Sequence, residues 1–145
     1  MLAYLDTSLV VSLYTIDVNT RAAIHALSRC KRPPLLSTLC QLEAMNAFGL
    51  LVFRKSLTPD LFQFALNSLD DDIRSGIYQM KEMPESAFLR ARHLSRDHAP
   101  LIGIRTADLL HVAVALELGA TTLLTFDVQQ RKLAEAVGLE LNPLV

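Results

Sequence analysis

Four carboxylates stand out by where they fall: Asp6 and Asp127 each close a short apolar run, while Glu43 and Asp108 lie near the starts of helix-like stretches. In an open α/β sheet, the carboxyl ends of the strands and the first turns of the following helices share one edge, beside a topological switch point. Acids gathered there repel: two unit charges about 4 Å apart cost roughly 4 kcal/mol at an effective dielectric near 20. Such a set calls for a cation. Oxygen-only donors suit Mg²⁺ or Mn²⁺, which keep several waters and are held by a few carboxylates together with a substrate phosphate. An ion of this kind lowers the pKa of an attacking water and neutralises phosphodiester oxygens, which is the chemistry of phosphate-ester hydrolysis.

Each acid also has an ordinary structural reading. Asp6, at a strand-to-helix turn, suits a helix N-cap. Asp108 and Glu43, expected in first turns, complement the helix macrodipole. Asp127 can start a turn. Only the set of four carries weight.

The elements that must position these residues follow from the apolar pattern. Leu2 to Leu5 reads as a strand ending at Asp6-Thr7-Ser8, any of which could cap the helix that holds Val10, Val11, Leu13 and Tyr14. A helix over Arg21 to Ser28 is broken by Arg29 to Pro34, Leu35 to Thr38 is a second strand, and a helix from about Gln41 places Glu43 in its first turn. Pro59 opens a helix that Asp70-Asp71-Asp72 ends, or leaves for a solvated loop, and Ile77 to Met80 is a third strand. Ser86 to Asp97 forms a helix closed by His98-Ala99-Pro100, and Thr106 caps the next, which stops at Gly119. Thr121 to Phe126 is the most strand-like run, and the last helix spans Gln130 to Val137 before Gly138. Short apolar strands alternating with helices imply a mainly parallel sheet covered on both faces.

Composition sets the frame. With 145 residues, 51% of them hydrophobic, one domain with one real core is expected. The net charge of -1 lacks the strongly basic balance that marks many nucleic-acid-binding domains, so any such contact must come from local patches. Cys30 and Cys40 are not spaced as CxxC, which points away from a zinc site or disulfide framework and towards a reducing, cytoplasmic setting. No run approaches the eighteen or so apolar residues of a membrane span. Arg29, Lys31 and Arg32, and separately Arg90, Arg92 and Arg96, are basic groups that suit either a phosphate backbone or a solvated face.

The stretches Leu5-Asp6-Thr7-Ser8, Leu42-Glu43-Ala44, Arg105-Thr106-Ala107-Asp108 with the helix that follows, and Leu123-Leu124-Thr125-Phe126-Asp127 resemble the four acidic motifs of PIN domains, in their usual order. The last forty residues are especially similar to the toxin nucleases of VapBC toxin–antitoxin pairs. The resemblance implies a three-layer α/β/α PIN-like fold around a central, mainly parallel sheet, and Mg²⁺- or Mn²⁺-dependent endoribonuclease activity. It implies that Asp6, Glu43, Asp108 and Asp127 form the catalytic, metal-binding quartet, with Thr7, Ser8 and Thr125 as supporting polar groups. Arg105 is expected to meet a phosphate near the metal. Implied partners are an RNA substrate and an antitoxin protein.

Other residues stay open. His111, one turn after Asp108, could approach the site, although its apolar neighbours favour a half-buried helix residue bonded locally. Phe48, Leu51, Val52, Phe53, Leu57, Leu61, Phe62 and Phe64 exceed what one helix pair needs, and suit a homodimer, an amphipathic antitoxin helix or the internal core. Two rival functions remain: an inactive PIN-like binding module, and another phosphate-ester hydrolase on a doubly wound sheet. The second lacks a P-loop and the second Asp two residues after Asp6, where Ser8 stands.

Overall fold

Residues 3–5, 35–37 and 122–124 are buried on every position, as continuous apolar strands must be when helices cover both faces of a sheet. The computed structural model describes residues 1–144. The strands β1 (Ala3–Leu5), β2 (Leu35–Ser37), β3 (Gln79–Lys81), β4 (Thr122–Leu124) and β5 (Glu140–Leu141) form one all-parallel sheet in the order β3-β2-β1-β4-β5. The strand β5 is an element the sequence pattern did not reveal.

Side chains alternate across this sheet as its pleat requires. Tyr4, Leu35 and Leu123 point to a core shared with α5 (Ser86–Ile102), α6 (Thr106–Glu117) and α7 (Val128–Val137), which contributes Leu94, Val112 and Leu133. Ala3, Leu5, Leu36 and Leu124 point the other way, to a core with α1 (Thr7–Tyr14), α2 (Thr20–Ser28), α3 (Thr38–Phe53) and α4 (Pro59–Arg74), where Leu9, Phe48 and Leu69 are buried. The result is the expected three-layer α/β/α arrangement.

Several boundaries differ from the sequence pattern for definable reasons. Ser37 caps α3 by accepting the Cys40 N–H, so the helix begins at Thr38 and Glu43 lies in its second turn, not its first. The acids Asp70, Asp71 and Asp72 belong to α4, because the Asp72 carboxylate accepts the Tyr14 hydroxyl at 2.6 Å and lets the helix run on to Arg74. Helix α5 passes through Pro100 and ends only at Gly103, whose left-handed φ of 71° suits a residue without Cβ. Thr106 is already helical: the extended residue before α6 is Arg105, and no side chain caps it.

The chain reverses direction across the sheet at β1, which runs first to β2 and β3 on one side and then to β4 and β5 on the other. The crevice beyond the ends of β1 and β4 is therefore the topological switch point, where ligand sites of such sheets lie. Among the described residues, no helix is long and apolar enough to cross a membrane.

Candidate functional site

Asp6 follows β1 directly, and Asp127 stands three residues after β4, so the strand pairing Leu5 with Leu124 brings both acids to the switch-point crevice. Glu43 from α3 and Asp108 from α6 reach the same place. Together with Asp17 they line an open cleft of about 420 Å³ whose other walls include Thr7, Ser8, Ser12 and Asn19. No Lys or Arg is among its lining residues.

Asp6 is only 3% exposed and is both a cap and a hub. Its Oδ2 accepts the Ser8 N–H at 3.0 Å, capping α1, and the Ser8 hydroxyl at 2.7 Å. Its Oδ1 accepts from the Gln130 side-chain amide at 3.0 Å. The Thr125 hydroxyl oxygen lies 2.9 Å from Asp6 Oδ2 and 2.7 Å from Gln130 Oε1, so its one proton is shared between these two acceptors. Asp127 caps α7 through Oδ1, which accepts the Gln130 backbone N–H at 2.8 Å. Capping and site geometry are compatible, because each cap uses only one carboxylate oxygen and both residues still line the cleft.

Glu43 is held from below. Its Oε1 accepts the Thr7 hydroxyl at 2.9 Å and is hydrogen-bonded by His111 Nε2. The other ring nitrogen, Nδ1, meets the Tyr4 hydroxyl at 2.8 Å, and that hydroxyl meets Ser37 Oγ at 2.7 Å. With His111 neutral and its proton on Nε2, one direction runs through this chain: Cys40 N–H donates to Ser37, Ser37 to Tyr4, Tyr4 to His111, and His111 to Glu43; in the cation Nδ1–H donates to Tyr4 instead. The His111 hydrogen bond draws the Glu43 carboxyl below its usual range despite partial burial. Burial disfavours the His111 cation, but the Glu43 bond and the charges of Asp6, Glu43 and Asp108 outweigh it and lift its pKa. Tyr4→Phe is expected to leave Ser37 and His111 short of a buried partner and to cost about 1–3 kcal/mol. A urea titration with a lowered midpoint and unchanged slope is the check.

Asp108 experiences the opposite influence. Burial, then the Asp127 and Asp6 charges, push its carboxyl up to about 6. That shift is the mark of an anionic cleft lacking a counter-charge. Among the described residues, no group of three or more Asp, Glu, His or Cys is disposed to enclose an ion by itself. A closed cage of the zinc type therefore does not fit. A hard ion that keeps part of its hydration and shares the carboxylates with bound water does fit, since the donors are oxygens on an open, acidic cleft.

The structure brings Asp6, Glu43, Asp108 and Asp127 to one cleft, lines that cleft with Thr7 and Ser8, and bonds Thr125 to Asp6 behind it. Arg105 precedes α6 on the surface and is not among the lining residues. His111 is not half-buried and locally bonded, as its neighbours suggested, but 1% exposed and bonded to Tyr4 and Glu43 across the fold. Gln130 was missed. The available signal was Asp127-x-x-Gln130, the spacing of a capping box.

A family model described as a PIN domain matches residues 3–136. The chain belongs to the PIN domain family. No curated protein matches this PIN domain in sequence. Its fold is similar to that of VapC20 of Mycobacterium tuberculosis, described as a sarcin-ricin loop cleaving toxin. That match has a TM-score of 0.70 at 17% identity and covers 97% of this chain and 99% of that one. It is also similar to FitAcB of Neisseria gonorrhoeae (TM-score 0.68, 17% identity, 98% and 97% covered). VapBC2 of Rickettsia felis, solved with a promoter DNA fragment, shares the PIN-domain fold at a TM-score of 0.67, 19% identity and 97% coverage of both chains.

Proposed function

We propose that this PIN domain is a Mg²⁺- or Mn²⁺-dependent endoribonuclease, the toxin of a VapBC-type pair. The observation that carries the reading is the cleft of acids at the switch point, with no basic lining residue and with Asp108 pushed up to about 6. Asp6, Asp108 and Asp127 would hold the metal most directly, with Glu43 completing the site or orienting water. When bound, the ion supplies an activated water and charge neutralisation at the scissile phosphate.

The chain's own residues do the rest. Ser8 and Thr125 keep Asp6 from rotating, and Thr7 and His111 hold Glu43. Arg105, at the start of α6, would meet RNA phosphate outside the metal cleft. The overall charge of -1 makes such local contacts, not a broad basic field, the source of RNA affinity.

The antitoxin would occupy the apolar surface beside the α3–α4 turn. A cavity of about 540 Å³ lies there, lined in part by Tyr14, Ile16, Leu57, Leu61 and Phe64. Ile16 is 95% exposed and Phe64 67%, which suits burial by an amphipathic helix. Phe48, by contrast, fills the internal core. The exposed Phe53, the last residue of α3, suits a homodimer contact.

The test is cleavage of labelled total RNA by purified, antitoxin-free protein with Mn²⁺, with Mg²⁺ and with EDTA. Cutting with either ion and none with EDTA is the expected result. A folded protein that cuts no RNA would favour a binding module. Hydrolysis of a phosphomonoester in place of RNA would point to a different esterase.

A further inference from the structure

We infer that Gln130 is the positioning residue of the acidic cleft, setting Asp6, Asp108 and Asp127 relative to one another. This assignment rests on the metal-site reading of those acids and adds a residue to it. Gln130 is the third residue of α7 and is 0% exposed. In a capping box, a glutamine at this place turns back to accept the N–H of the capping residue. Here the Thr125 hydroxyl oxygen accepts the Asp127 N–H at 3.0 Å instead. The Gln130 amide is thereby released to turn inward.

Every hydrogen-bonding position of Gln130 then serves the cleft. One amide proton goes to Asp6 Oδ1 at 3.0 Å and the other to the Asp108 backbone carbonyl at 3.1 Å. Its Oε1 meets the Thr125 hydroxyl at 2.7 Å, and its backbone N–H caps onto Asp127 at 2.8 Å. One residue thus touches three of the four acids. The carbonyl contact matters because it fixes the first turn of α6, from which the Asp108 side chain projects.

The chemistry of the amide explains why this position suits glutamine. Two donors and one acceptor are needed at one length, with no charge. Glutamate has no donor and would add a further negative charge. Lysine or arginine would donate but would neutralise the cleft and compete with a bound cation. A neutral amide orients carboxylates that repel each other and leaves their charge available.

The experiment is a calorimetric Mn²⁺ titration of metal-free wild type and of Gln130→Met, which keeps the volume and the backbone bond to Asp127 but loses the side-chain bonds to Asp6, Asp108 and Thr125, with circular dichroism to confirm folding. Loss of an outer-shell partner costs about 10- to 100-fold in metal affinity. A weakening of that size in folded Gln130→Met, with kcat for RNA reduced and KM for RNA unchanged, supports the assignment. Equal Mn²⁺ affinity in the two proteins overturns it while leaving the metal reading intact. Wild type that binds no Mn²⁺ overturns the metal reading and the assignment together. Should Gln130→Met fail to fold, the wild-type Gln130 side-chain amide decides by nuclear magnetic resonance. Protons protected from solvent exchange and shifted by Mg²⁺ support the assignment. Protons that exchange freely, or that Mg²⁺ leaves in place, overturn it.

Discussion

Asp108→Asn is expected to abolish metal-dependent RNA cutting and, at neutral pH without metal, to make the protein more stable. The loss should exceed the roughly 10- to 100-fold that removal of an outer-shell partner costs. The gain follows from linkage. The Asp108 carboxyl ordinarily titrates at 3.8 and is pushed up to about 6 in the folded chain, so the folded state binds more protons between those values. Its contribution to stability is full below 3.8 and is lost as pH rises through about 6. Asparagine removes that penalty. The group is only partly buried, so solvent screening reduces the effect to about 1 kcal/mol, or about 2–4 °C in Tm. Thermal unfolding in EDTA at pH 7.5 is the measurement. A variant that is less stable than wild type, or that still cuts RNA, would contradict the placement of Asp108 in a crowded anionic cleft.

Asp6→Ala is expected to do the reverse to the fold, costing about 2–5 kcal/mol. The figure combines a lost N-cap, about 0.5–2 kcal/mol, with buried donors left unpaired at about 1–3 kcal/mol. Ser8, Thr125 and Gln130 all present hydrogens to this carboxylate, which is almost fully buried. Asp6→Asn keeps one oxygen and the volume, so it should remain folded while losing activity. Guanidinium unfolding of both variants beside wild type separates the two effects. If the alanine variant were as stable as wild type, the hydrogen bonds around Asp6 would not be holding the turn. Where the alanine variant is destabilised as expected, its loss of activity does not distinguish chemistry from folding, which makes the asparagine variant the proper test of function.

The fold was readable because its signals are local. Three buried residues such as Leu35 to Ser37, followed by a capping hydroxyl and a helical stripe, announce strand and helix within a few positions. The acids were readable for the same reason, since a carboxylate at a strand end needs only its neighbours to be noticed. The supports beneath them were not. His111 looks like any polar residue in an apolar helix until α6 lies against β1 and its ring reaches Tyr4, 107 positions away in sequence. Gln130 reads as a plain helix residue until Thr125 takes over its capping role. The strand β5 is two residues long and pairs only through Thr122 and Leu123, too little pattern for any periodicity to register. The start of α3 was misjudged because Thr38, taken as the end of a strand, is already the first residue of a helix that Ser37 caps.

The position of β1 has a consequence for how the protein comes into being. Of the five strands, the central one comes first in sequence, and its neighbour β4 follows more than a hundred residues later, with Ala3 pairing with Thr122. Contacts of such sequence separation form late and slowly. A growing chain that has made only Asp6 and Glu43 holds half the acids and none of the α7 supports. It must keep the apolar residues of β1 out of trouble until synthesis passes Gln130. The acidic cleft is therefore completed in one step, only when the segment through Gln130 has docked beside β1.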